Sequence, residues 1–112
     1  MKTGLENSPN VKIVVFVPET HTNVVRDAMD KAGAGHIGNY TFCTFSAKGI
    51  GRFKPEQGAT PHIGTVGTPE EVVEERIETV CPREKLQTVI SAIKKVHPYE
   101  EVALDVYPLE NI

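Results

Sequence analysis

The stretch His97-Pro98-Tyr99-Glu100-Glu101-Val102-Ala103-Leu104-Asp105-Val106-Tyr107-Pro108 reads as a helix exit, a turn and a final strand. Val102, Leu104 and Val106 fall on one side of an extended chain and Ala103, Asp105 and Tyr107 on the other, the period of two that a half-buried strand requires. Pro98 stops the helix ahead of it and biases His97 toward an extended backbone. Pro108 has no N–H to give to a ladder and marks a strand end or a sheet edge. Around Pro98 stand His97, Tyr99, Glu100 and Glu101, the densest group of ionisable side chains in the chain. The corner that orders the last two elements is therefore also the first place to look for chemistry.

Immediately before it, Leu86, Val89, Ile90, Ile93 and Val96 recur at steps of three and four, which predicts an amphipathic helix opened by Pro82. Lys94 and Lys95 sit at its C-terminal end, where cations favour the helix dipole. Further back, Thr68-Pro69-Glu70-Glu71 has the form of a helix start, with a capping Thr, a Pro at the first position and Glu at the third. The residues that follow disagree, since Glu74, Arg76 and Glu78 alternate with Val73, Glu75, Ile77, Thr79 and Cys81 as in a strand with one polar face. Local composition leaves helix and strand open for this segment.

At the other end, Val11 and Ile13 to Val17 form an apolar run interrupted only by Lys12, as expected of a central strand, and Pro18 ends it. A helix follows from near Thr20, with Val24, Val25, Ala28, Met29 and Ala32 as its apolar stripe and Gly33 where a left-handed C-cap belongs. Gly33-Ala34-Gly35-His36-Ile37-Gly38 matches the dinucleotide pattern Gly-x-Gly-x-x-Gly. That pattern needs a strand before it and a helix after it, so that the helix N-terminus meets the phosphate. Here the order is reversed, and the glycines read as a helix-to-strand loop.

Ile37 to about Ala47 is rich in Tyr, Phe, Thr and Cys and predicts a second strand, with Tyr40 and Phe42 on one face and Thr41, Cys43 and Phe45 on the other. Residues 48–68 then form a long glycine-rich loop with Pro55 and Pro61 and no helical period. So long an irregular stretch in a small domain points to a ligand or partner loop, with Gly49, Gly51, Arg52, Phe53, Gly58 and His62 as its candidate residues.

With Val72 to Cys81 taken as a strand, the element order is that of an α+β ferredoxin-like (βαββαβ) sandwich, a four-stranded antiparallel sheet with two helices on one face. Such a sheet has two open edges and one bare face, which invites pairing with further copies. Tyr40, Phe42 and Tyr107 favour oligomerisation over protection by charge.

The 112 residues, 39% of them hydrophobic, suffice for a single domain, 1–112, with one core and a flexible N-terminus over 1–10. The net charge of -3, with acidic and basic residues well mixed, argues against nucleic acid as a partner. No apolar run approaches the roughly 18 residues of a membrane span, and the expected location is the cytoplasm. Cys43 and Cys81 lack any Cys-x-x-Cys spacing and read as reduced thiols.

Taken together, these residues resemble the YqfO-like or Nif-three-like family, in particular the PII-like and CutA-like domain that larger members carry as an insertion. The matching pieces include Val17-Pro18-Glu19, Ala32-Gly33-Ala34-Gly35, Ile37-Gly38-Asn39-Tyr40, Gly51 with Phe53 and Pro55, and Gly58-Ala59. They continue with Ile63-Gly64, Glu75-Arg76-Ile77-Glu78 and the motif His97-Pro98-Tyr99-Glu100-Glu101. The resemblance implies that Val72 to Cys81 is a strand, that the fold is ferredoxin-like, and that the domain forms a homotrimer. Larger relatives hold two metal ions between flanking lobes that have no counterpart in these residues, so the hydrolase label of that family does not carry over.

Three functions follow as expectations. The first is a non-enzymatic, homo-oligomeric binding or regulatory module whose long loop reads a small ligand or a partner protein. The second is a divalent metal site for copper or zinc, as the CutA-like resemblance implies, drawing on His62, His97, Glu100 and Glu101. No local ligand spacing supports it, so it would have to be assembled in space. The third pairs His97 with Glu100 or Glu101 as acid and base, but no nucleophile accompanies them. Against all three stands a structural reading in which His97 and Tyr99 satisfy backbone groups at the corner and the glutamates lie on the surface or pair with Arg76.

Overall fold

The computed structural model describes residues 6–112. Strand β1 (Asn7–Pro18) leads through a 3-10 turn (Glu19–His21) into helix α1 (Thr22–Lys31). Strands β2 (Thr44–Phe53) and β3 (Glu70–Pro82) follow, then a second 3-10 turn (Arg83–Lys85), helix α2 (Leu86–Val96) and strand β4 (Leu104–Glu110). The sheet order is β2-β3-β1-β4 with every pairing antiparallel, the ferredoxin-like α+β arrangement expected.

Alternation along β1 explains the layers. Val11, Ile13, Val15 and Val17 are fully buried beneath the helices and meet Val25, Met29, Val89 and Ile93 there, joined by Ile77 and Cys81 from β3. The other face carries no helix. Val14 is nonetheless buried on it, flanked in register by Glu78 on one side and Asp105 on the other. β4 behaves as its period requires: Val102, Leu104 and Val106 pack on the core while Asp105 and Tyr107 are exposed. Pro108 sits at the sheet edge, pairing with Val11 across a strand that has no neighbour on its far side.

Helix α1 ends in a Schellman motif. The Gly33 N–H donates to the Asp30 carbonyl (3.0 Å) and the Ala34 N–H to the Met29 carbonyl (2.9 Å), with Gly33 at φ +108°. The next turn presses Gly35 (φ +73°) against β3, its N–H donating to the Val80 carbonyl at 2.8 Å. The glycines lie between helix and strand as a tight connection, as expected.

Three boundaries differ from expectation. Residues 37–43 form a turn with an isolated bridge between Ile37 and Tyr40, and the second strand begins only at Thr44. Tyr40 and Phe42 are exposed in that turn, Phe42 at φ +56°, so their aromatic character reflected surface and not strand. The glycine-rich loop is shorter than 48–68, because Gly49, Gly51, Arg52 and Phe53 lie in β2, in register with Glu74, Val72, Glu71 and Glu70. Within the N-terminal segment 1–10, residues 7–10 already belong to β1, and residues 1–5 lie outside the described residues. The apolar stripe of α1 is also narrower, Val24 being 43% exposed.

Val72 to Cys81 is strand along its whole length, against the helix-like start at Thr68. Pairing on both sides, with β1 and β2, supplies backbone hydrogen bonds and burial that a local capping signal cannot outweigh. The sheet also brings the chain back on itself: the Asn111 N–H donates to the Glu6 carbonyl at 2.7 Å. Among the described residues no helix is long and apolar enough to cross a membrane.

Candidate functional site

A cleft of about 320 Å³ opens on the helix-free side of the sheet. Its floor is Gly51, Glu74, Phe16 and Ala103, from four different strands or their ends. Phe53, Pro55, Ala59, Pro61, His62 and Ile63 form one wall, contributed by the end of β2 and the connection after it. Tyr99, Glu100 and Glu101 form the other, so the motif corner faces the connection across the cleft. Glu100 ties the two together, its Oε1 accepting the Thr60 N–H at 3.0 Å.

His97 stands behind this wall. It is 6% exposed, its Nε2–H donates to the Phe16 carbonyl (2.7 Å), and its Nδ1 accepts the Tyr99 N–H (3.1 Å). Both ring nitrogens thus serve backbone groups, and the pattern requires the neutral Nε2–H tautomer. Burial pushes its pKa below the usual imidazole value, while the Phe16 carbonyl and the charge of Glu74 pull the other way. The imidazole that looked most available for chemistry is a structural strut.

Tyr99 links the corner to the floor. Its hydroxyl donates to Glu74 Oε2 at 2.7 Å, and its ring lies 5.0 Å from that of His97 and 6.0 Å from that of Phe53. Burial first, then the hydrogen bond and charge of Glu74, hold the phenol well above the ordinary tyrosine range. His62 extends the row of rings, 6.4 Å from Tyr99 and 5.8 Å from His21.

Glu74 was not apparent in sequence, where it is one of several glutamates in an alternating run. In the fold it is 8% exposed. Room for it comes from Gly51 on the neighbouring strand, where any Cβ would overlap the Glu74 carboxylate. Gly51 pairs with Val72 and meets Glu74 on the diagonal, a relation that becomes visible only once the register of β2 on β3 is known.

Of the expected site residues, Gly51, Arg52, Phe53, His62, Tyr99, Glu100 and Glu101 come together around the cleft. Gly49 and Gly58 face open space, and Gly58 serves a turn at φ +100°. Pro98 is half-buried in the corner. Arg76 does not pair with the motif glutamates; it lies over the Phe16 ring (5.8 Å) and pairs with Glu78 (3.6 Å). Glu78 also meets Lys12 at 3.7 Å.

Among the described residues no group of three or more His, Cys, Asp or Glu side chains is placed to hold an ion. With both His97 nitrogens engaged, His62, Glu100 and Glu101 would need donors from a second chain. Cys43 and Cys81 are free thiols, and burial pushes the Cys81 thiol up.

No protein-family model matches the chain. A GTP cyclohydrolase 1 type 2 homolog of Halalkalibacterium halodurans is 56% identical over 100 residues, covering 89% of this chain and 27% of that protein. A Bacillus cereus protein related to NIF3 superposes with a TM-score of 0.79 at 50% identity, covering 99% of this chain and 28% of the other. The periplasmic divalent cation tolerance protein CutA from Archaeoglobus fulgidus superposes with a TM-score of 0.65 at 18% identity, covering 91% and 85%, a likeness of fold alone. The chain therefore spans about a quarter of the length of the curated relatives it matches.

Proposed function

We propose that this chain, which belongs with the NIF3-related proteins and corresponds to one CutA-like segment of them, is a non-enzymatic, homo-oligomeric binding or regulatory module. The observation that carries this reading is the cleft, where the connection after β2 and the corner before β4 close over a buried carboxylate. Pockets of this size and lining hold small molecules. Binding is favoured over turnover because the motif's histidine and tyrosine are committed: His97 to two backbone groups, and Tyr99 to Glu74.

The oligomer, a trimer in our reading, is supported by the unpartnered edges of β2 and β4 and by Phe45 and Tyr107, exposed on the helix-free face. Light scattering tests it, with a mass near three copies of the 12.3 kDa chain expected and a monomer at tens of micromolar overturning it. The binding role is tested by shortening the connection between Lys54 and Pro69. A shortened protein that assembled normally and kept every interaction of the parent would defeat the reading. A divalent-cation role draws only on the likeness of fold to CutA, and a zinc or copper titration without heat ends it.

A further inference from the structure

This inference rests on the cleft being a binding site and concerns the chemistry of what it takes. Glu74 Oε2 accepts the Tyr99 hydroxyl, and among the described residues Oε1 has no hydrogen-bond partner. Among the described residues the nearby cations are paired elsewhere. Arg52 is paired with Glu71 (2.9 Å), Lys54 with Glu56 (3.3 Å) and Arg76 with Glu78 (3.6 Å). A carboxylate in a largely buried side chain gains most from a positively charged donor, and among the described residues its hydrogen-bond donor is one neutral hydroxyl.

The walls add shape. Phe53 and His62 line the cleft, and aromatic faces attract cations as apolar surfaces do not. We propose that the cleft binds a small planar organic cation, an amidinium or guanidinium on a flat apolar body, with its N–H donors on Glu74 Oε1 and its body against Phe53. A planar fork of donors matches a carboxylate better than a point charge does. The volume of about 320 Å³ lies at the small end for ligand sites and suits one ring with its head group.

Calorimetry on the full chain with benzamidine, benzamide and benzoate as probes tests the class. Benzamidine is expected to bind and the other two to bind at least about tenfold more weakly, the loss of one charge-assisted contact. Glu74→Gln should weaken benzamidine about tenfold, while Glu84→Gln, which removes an exposed carboxylate outside the cleft, should leave its affinity unchanged. Benzamide or benzoate binding as tightly as benzamidine, with amide shifts at Phe53 and Tyr99, overturns the cationic class and leaves the cleft as a ligand site. No binding of any probe at millimolar concentration overturns both. The comparison among probes uses the unaltered chain, so it stands even if Glu74→Gln fails to fold.

Discussion

His97 and Phe16, 81 positions apart, are joined by a 2.7 Å hydrogen bond from the imidazole Nε2–H to the backbone carbonyl at the end of the central strand. Because Nδ1 simultaneously accepts the Tyr99 N–H, the ring can gain a proton only by losing a backbone contact. The folded-state pKa is lowered, so the unfolded chain binds the proton more readily. Stability from this site is complete above the unfolded value of about 6.5 and falls as pH drops below it toward the folded pKa. Urea denaturation at about pH 8 and about pH 5.5 should show this loss, and His97→Ala should lower stability by about 2–4 kcal/mol at the higher pH. An unchanged midpoint in His97→Ala would remove the strut assignment.

Tyr99→Phe removes the hydroxyl that donates to the largely buried Glu74 carboxylate and should destabilise by about 1–3 kcal/mol. In the parent, Tyr99 should ionise later than a free tyrosine, because burial and Glu74 raise its pKa. Its contribution to stability is thus fully present below the unfolded value of about 10 and is lost as pH rises from there through the higher folded value. The difference between ultraviolet titrations of parent and Tyr99→Phe isolates this phenol; a step in the ordinary tyrosine range contradicts the geometry.

Gly51 and Gly49 lie two residues apart on β2 and should answer alanine in opposite ways. A methyl at Gly51 meets the Glu74 carboxylate, whereas nothing lies within 4 Å at Gly49. Gly51→Ala should lose about 1–3 kcal/mol by displacing Glu74. Gly49→Ala should be neutral or gain up to about 1 kcal/mol, since alanine suits a strand better than glycine. Thermal denaturation of the two variants side by side decides it, and equal behaviour counts against the packing described.

Glu100→Ala should release the connection after β2 while sparing the core. Its carboxylate is the acceptor for the Thr60 N–H, in a region exposed to solvent. Amide exchange at Thr60 is expected to accelerate about tenfold, with global stability altered by no more than about 1 kcal/mol. Unaltered exchange at Thr60 would show that the contact does not hold the loop.

Much of the fold was legible because its signals were periodic. The apolar run from Val11 to Val17, the stripe of α2 and the alternation of Val102, Leu104 and Val106 each state which face is buried. The second strand was misplaced because Tyr40 and Phe42 carry strand propensity, while Lys48 to Arg52 alternates glycine with polar and apolar residues and looks like a loop. Those glycines belong to a strand for a reason outside their own segment: Gly51 makes room for a side chain from β3. The site was half legible. The corner and the connection could be named from composition, but Glu74 becomes distinct from Glu75 or Glu78 only once burial is known. Burial of an individual side chain depends on what crosses over it, which here is Tyr99.

The bond from Asn111 to Glu6 brings the two ends of the described residues to adjacent points of the same sheet. A polypeptide with that geometry can be spliced into a surface loop of a host protein by parting the host at one place, without stretching either partner. The CutA-like unit is in this sense portable, which fits its occurrence as about a quarter of a longer chain in the proteins that match it.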